Sequence, residues 1–183
     1  MSFGNDSRPA RRSVRLQGYD YRQSGAYFVT ICAYQQLCRF GSIRDGKVIA
    51  NPLGLIVTDC WRKIAQVRPN VELDAFVVMP NHLHGVIIIS HDMMTDIAAN
   101  ATRNGRSSRG GLERDSLGGI VGQFKRAVSI KSKSLSQPPG QPLWQRNYYE
   151  HIIRNETSLN EIRRYIVHNP CKWHDDSLYV EKC

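Results

Sequence analysis

No stretch of the chain approaches the roughly 18 uninterrupted apolar residues that a membrane-spanning helix needs. Residues 1 to 6, Met1 to Asp6, are polar and hold no apolar core of the kind a secretory leader carries. From these two absences the chain is expected to be neither secreted nor membrane-embedded. Cysteine is sparse and odd in number: five residues, at 32, 38, 60, 171 and 183, with no Cys-x-x-Cys pair. That count argues against both a disulfide framework and a zinc ribbon, and a reducing cytoplasm is the expected compartment. No internal repeat is visible. Acidic residues are in deficit, 16 against 25 Lys and Arg, for a formal charge of +9 over 183 residues. A surplus of that size favours a polyanionic partner, because basic groups release counterions when they neutralise phosphates, and nucleic acid leads the candidates.

What is present reads as one α+β domain with flexible ends. Residues 1–17 form a basic arm with Arg8, Arg11, Arg12 and Arg15 and little to bury; residues 18–175 form the domain; residues 176–183 form a tail. Within the domain, AYFVTICAY at 26–34 is β-branched and aromatic and predicts a first strand. Asp45-Gly46 marks a hairpin. Leu53, Ile56, Val57, Cys60, Trp61 and Ile64 recur at helical spacing up to the stop at Arg68-Pro69-Asn70. VELDAFVVM at 71–79 and NHLHGVIIIS at 81–90 flank Pro80 as two nearly continuous apolar strands, the pattern of a sheet centre. Residues 91–116 are polar and glycine-containing, with four arginines, and predict a flexible basic insert.

A helical stripe through Ile120, Phe124 and Val128 follows within 117–133, then a break at SQPPGQP, then LWQRNYYEHIIR at 143–154 as a last strand. Ser158-Leu159-Asn160-Glu161 matches a capping box and predicts a final helix running to Pro170. Strand, helix, two adjacent strands, helix, strand is the ferredoxin-like order, also that of RNA-recognition domains. It implies an antiparallel sheet with two helices on one face and an additional C-terminal helix on the other.

The segment VVMPNHLHGVIII, residues 77–89, sets two histidines in a strand otherwise built for burial. His82 and His84 are two apart and point to the same face, where two imidazoles can meet one metal ion. On the final helix Tyr165 and Asn169 are four apart and share a face. Taken singly, each feature has an ordinary structural explanation. Together, in a basic chain, they point to phosphoryl transfer on nucleic acid. A tyrosine hydroxyl with an ordinary pKa near 10 is a weak nucleophile at neutral pH, and a divalent ion held by the histidines, with Asn169 as an oxygen ligand, supplies the missing activation. Imidazole and oxygen ligands admit Mg²⁺ or Mn²⁺.

Four ordered blocks, VVMPNHLHGVIII, FKR at 124–126, LWQRNYYEHIIRN at 143–155 and YIVHNP at 165–170, resemble the single-tyrosine HUH transposases, and more closely the REP-associated tyrosine transposases. The likeness spans roughly residues 15 to 173. It implies that His82 and His84 are metal ligands, that Tyr165 is the nucleophile and that Asn169 stands where the family presents a third polar ligand. It further implies a metal-dependent single-stranded DNA endonuclease and strand transferase, a transposase that attaches to the 5′ phosphate at the nick, with hairpin DNA as target and a monomer or homodimer as the working unit. Arg8, Arg11, Arg12 and Arg15 of the arm, with Lys125 and Arg126, are the expected DNA contacts. Tyr148 and Tyr149 are rival nucleophiles on a predicted strand. Glu150-His151 has two open readings, DNA or ligand support and a structural hydrogen bond, and Trp144 is expected to pack in the core. The competing reading is a non-catalytic nucleic-acid-binding module on the same sheet. The strands show no RNP-type aromatic run, and His-x-His has no required task there.

Overall fold

The first strand, β1 (Gly25–Cys32), turns Tyr27, Val29 and Ile31 to one side, where all three are fully buried. Its other side carries Ala26, Phe28, Thr30 and Cys32. The computed structural model describes residues 24–90, 116–135 and 140–181; the basic arm with Arg8, Arg11, Arg12 and Arg15, and residues 91–115 of the insert, lie outside them. A hairpin of β2 (Gly41–Arg44) and β3 (Lys47–Ala50) turns at Asp45-Gly46, both in the left-handed region with φ 49° and 69°. Helix α1 (Pro52–Val67) is capped by the Asn51 side chain, which accepts from the Gly54 amide. Strands β4 (Val71–Val78) and β5 (His82–Ile89), helix α2 (Leu117–Lys131), strand β6 (Tyr149–Ile153) and helix α3 (Glu156–His168) complete the chain.

The sheet order is β4-β5-β1-β6, every neighbour antiparallel, so the histidine strand is central and the fold is the ferredoxin-like α+β arrangement expected. Helices α1 and α2 pack on the face of Tyr27, Val29, Leu83 and Ile87, where Trp61 and Phe124 meet edge to face at 5.3 Å. Gly85 explains itself here. A Cβ built on it would lie 2.4 Å from Trp61 Cζ2, so the bare backbone is the seat that lets α1 approach the central strand. The opposite face holds a smaller apolar cluster of Val86, Ile153, Leu159 and Ile166, through which α3 lies on the sheet.

Three expectations need correction. The last strand is β6 alone; residues 143–148 stay irregular apart from a bridge between Trp144 and Ala33. Asn147 adopts φ 68°, and the Lys125 amine donates hydrogen bonds to the carbonyls of Gln145 and Asn147, which removes those carbonyls from any ladder. The final helix starts two residues before Ser158, because Asn155 caps it by accepting from the Ser158 amide at 2.8 Å, and asparagine caps at least as well as serine. Among the cysteines, Cys32, Cys60 and Cys171 are free, but Cys38 is disulfide-bonded, which the spacing of cysteines did not foretell. No helix among the described residues is long and apolar enough to cross a membrane.

Candidate active site

The strand period of two sends His82 and His84 to the α3 face together with Val86 and Ile88. Across β1 their partners are Cys32 and Thr30. Both rings are buried, with centroids 4.3 Å apart. Each has its Nδ1 engaged by a neighbouring oxygen: Thr30 Oγ1 lies 2.8 Å from His84 Nδ1, and Asn81 Oδ1 lies 2.7 Å from His82 Nδ1. Phe28 stacks on His84 at 5.3 Å, and Trp173 leans over His82 at 6.0 Å. These contacts aim both Nε2 atoms at one spot.

Helix α3 brings Tyr165 to that spot. Its hydroxyl is 3.2 Å from His84 Nε2, its ring meets Phe28 edge-on, and the residue is 46% exposed, so the phenol touches His84 and remains open to a ligand from solvent. Asn169, one turn later, is buried at the C-cap. A residue the sequence reasoning missed completes the group. Asp176, assigned to an uninformative tail, has a side chain only 1% exposed, and its Oδ2 is 3.8 Å from Nε2 of both histidines. Asn169 Nδ2 donates to the same oxygen at 2.8 Å, and the Leu178 amide donates to Oδ1 at 2.7 Å. The available signal was weak: an acidic pair, Asp175-Asp176, within helical reach of the YIVHNP block.

Ligand atoms of His82, His84 and Asp176 all lie within 4.8 Å of one another. Two nitrogens and a carboxylate oxygen are a donor set that a divalent ion accepts. Two atoms test that fit. His82 Nε2 and Asn169 Oδ1 are buried without any hydrogen-bond partner among the described residues, an arrangement that costs free energy unless something bonds them. Burial pushes His82 down to about 3, helped by the adjacent His84 and opposed by Asp176, so the ring is neutral and its lone pair is available across the working pH range. Burial opposes ionisation of Asp176 as well, yet the neighbouring His84, the Leu178 amide and the Asn169 amide, the last two through hydrogen bonds, outweigh it and hold the carboxyl well below its ordinary range. Tyr165 is raised above 10 by burial and by Asp176, with the Asn169 amide opposing, so the phenol carries its proton at rest.

The other expected site residues lie elsewhere. Lys125 and Arg126 are on α2, across the sheet, beside a cavity of about 540 Å³ whose walls include Lys133 and Trp144. The amine of Lys125 is already committed to two carbonyls, and burial lowers it to about 8. Arg126 is exposed. Trp144 packs between Phe40 and Phe124, in the core as expected. Tyr149 is half exposed on the edge strand β6, and its register partner Thr30 separates it from His84.

No family model matches the chain. An uncharacterized protein of Haemophilus influenzae is 41% identical over 178 residues, covering 93% of this chain and 94% of that one. Among solved structures, a REP-associated tyrosine transposase bound to a REP hairpin aligns with a TM-score of 0.53 at 17% identity, over 90% of this chain and 73% of that chain. At such identity the second likeness speaks for the fold.

Proposed function

The chain belongs to one family with the Haemophilus influenzae protein and has the fold of the REP-associated tyrosine transposases, and from that premise we propose that it is a divalent-metal-dependent transposase that nicks and rejoins single-stranded, hairpin-associated DNA. The observation that carries this reading is the meeting of the Tyr165 hydroxyl, at 3.2 Å from His84 Nε2, with the cluster of His82, His84 and Asp176.

In this mechanism Tyr165 Oη forms a bond to the scissile phosphorus and the bond from phosphorus to the 3′ oxygen breaks. The DNA keeps its 5′ phosphate as an ester on the tyrosine, and the leaving strand ends in a 3′ hydroxyl. The phenol proton passes to solvent, to which the ring is open, and the departing oxygen takes one up. At pH 7 about one tyrosine in a thousand or fewer is ionised, so the nucleophile is weak unless the phosphate is made more electrophilic. A divalent ion such as Mg²⁺ or Mn²⁺, when bound, would supply that Lewis-acid assistance. His82 and His84 would hold it through Nε2, with Asp176 or Asn169 as the oxygen ligand. Thr30 and Asn81 orient the two imidazoles, and Phe28 braces both His84 and Tyr165. The later rejoining step is attack of a 3′ hydroxyl on the phosphotyrosine, which needs no external energy because the ester is retained. Arg126 and Lys133 beside the cavity, together with the arginines of the arm, would contact the DNA backbone.

The test is incubation of the purified protein with labelled single-stranded oligonucleotides carrying the hairpins that flank its own gene, with Mn²⁺ or Mg²⁺, resolved on a denaturing gel. A covalent protein–DNA band is expected, lost with chelator, with Tyr165→Phe and with His82→Ala. Hairpin binding without any adduct under either metal would instead support the non-catalytic binding module.

A further inference from the structure

We propose that Asn81 is a positioning residue that presets the candidate metal site, fixing the tautomer of His82 and docking the segment that carries Asp176. The inference rests on the reading of His82 as a ligand. It starts from an amide with 0% exposure whose every group is used. Asn81 Nδ2 donates to the Gln36 carbonyl at 3.2 Å and to the Leu178 carbonyl at 2.8 Å. Carbonyl oxygens only accept, so the amide cannot be turned around without setting its own oxygen against two others. Oδ1 is therefore the atom beside His82 Nδ1, 2.7 Å away. An amide oxygen also only accepts, so Nδ1 is the protonated nitrogen. In a neutral imidazole the other nitrogen then carries the lone pair. That other nitrogen is Nε2, the buried atom without a partner that faces Asp176.

The two carbonyls are distant in sequence, and both belong to irregular backbone. Gln36 and its neighbour Gln35 have φ values of 55° and 54°, a left-handed pair that non-glycine residues adopt only when held. Leu178 is two residues after Asp176, whose Oδ1 accepts from the Leu178 amide. The same peptide segment thus gives its carbonyl to Asn81 and its amide to Asp176. Asn81 is anchored in turn by its own carbonyl, which accepts from the Ala33 amide at 2.8 Å. One side chain joins the histidine strand, the loop after β1 and the C-terminal segment, so the ligand nitrogen of His82 and the oxygen of Asp176 are placed by a single amide.

The experiment reads the ring directly. Protein labelled with ¹⁵N-histidine and free of metal is examined near pH 7.5 by long-range ¹H–¹⁵N correlation, with His82 assigned by its substitution, and Mn²⁺ affinity is measured separately by titration. The expected result is an Nδ1-protonated His82 in the native chain. Asn81→Ala should lose that single tautomer and bind Mn²⁺ about 10- to 100-fold more weakly. Asn81→Asp keeps the acceptor and removes both donors; it should retain the tautomer while tryptophan fluorescence reports a changed environment for Trp173. An Nε2-protonated His82 in the native chain overturns the inference, as does an Asn81→Ala protein with unchanged tautomer and unchanged Mn²⁺ affinity. If Asn81→Ala does not fold, the Asp variant decides: loss of the Nδ1-protonated form there is equally contrary. A native chain that binds no Mn²⁺ defeats the metal reading of the site, and the tautomer assignment then stands or falls on the spectrum.

Discussion

At the scale of single residues, His84 is the junction of the site, touched by Thr30 on one nitrogen, by the Tyr165 hydroxyl on the other, and by Phe28 on its face. Tyr165 is half exposed and not part of either apolar cluster, so Tyr165→Phe should leave the unfolding free energy within about 0.5 kcal/mol of the native chain while removing adduct formation altogether. Asp176 and Asn169 are the two candidates for the oxygen ligand of the proposed ion, and two substitutions separate them. If Asp176 binds the ion, Asp176→Asn weakens Mn²⁺ by about 10- to 100-fold and Asn169→Ala by less; the reverse order would transfer the role to Asn169. His82, His84, Tyr165 and Asn169 were legible because strand and helix periods fix which side chains share a face. Asp176 was not, since it arrives from an irregular segment in which spacing carries no directional meaning.

At the scale of elements, α1 is seated by Gly85 and α3 is pinned by an ion pair. Gly85→Ala drives a methyl into the Trp61 ring and should cost about 1–3 kcal/mol, seen as a fall of several degrees in Tm. Trp61→Phe in the same chain should recover part of the loss. On the other face, Arg163 makes hydrogen bonds of 2.6 to 3.1 Å to both carboxylate oxygens of Asp74, tying α3 to β4. These bonds hold the Asp74 carboxyl below its ordinary value against the opposing effect of burial. A carboxyl with a lowered folded pKa stabilises above the unfolded value and loses that contribution as pH falls through the folded one. Asp74→Asn should therefore cost about 0.5–1 kcal/mol near pH 6, the modest size reflecting a guanidinium partly in water, and measurably less at about pH 2.5, below the ordinary carboxylate range. Urea titrations of both proteins at the two pH values provide the check. The helices and central strands could be read from their periods, whereas the length of the last strand could not: what shortens it is a half-buried lysine from another element drawing off two carbonyls, a tertiary effect with no local trace.

For the whole molecule, the sheet order brings β1, β5 and the final helix of one chain to one site, so Tyr165 reaches His84 of its own chain. A mixture of the Tyr165→Phe and His82→Ala proteins should then form no adduct, whereas recovery on mixing would require exchange of the last helix between two chains. Divalent metal should bind the folded chain and not the unfolded one, raising stability by about 2.7 kcal/mol at a hundredfold excess over the dissociation constant and leaving His82→Ala unmoved; calorimetry with and without Mn²⁺ measures this. Covalent joining of Tyr165 to DNA is the step that separates the proposed catalysis from mere binding. Its most direct measurement is mass spectrometry of the protease-digested product after reaction with hairpin oligonucleotide and Mn²⁺. A phosphodiester-linked nucleotide is expected on the peptide containing Tyr165 and on no other; a nucleotide on the peptide containing Tyr148 and Tyr149, or cleaved DNA with no modified peptide, would contradict catalysis by Tyr165.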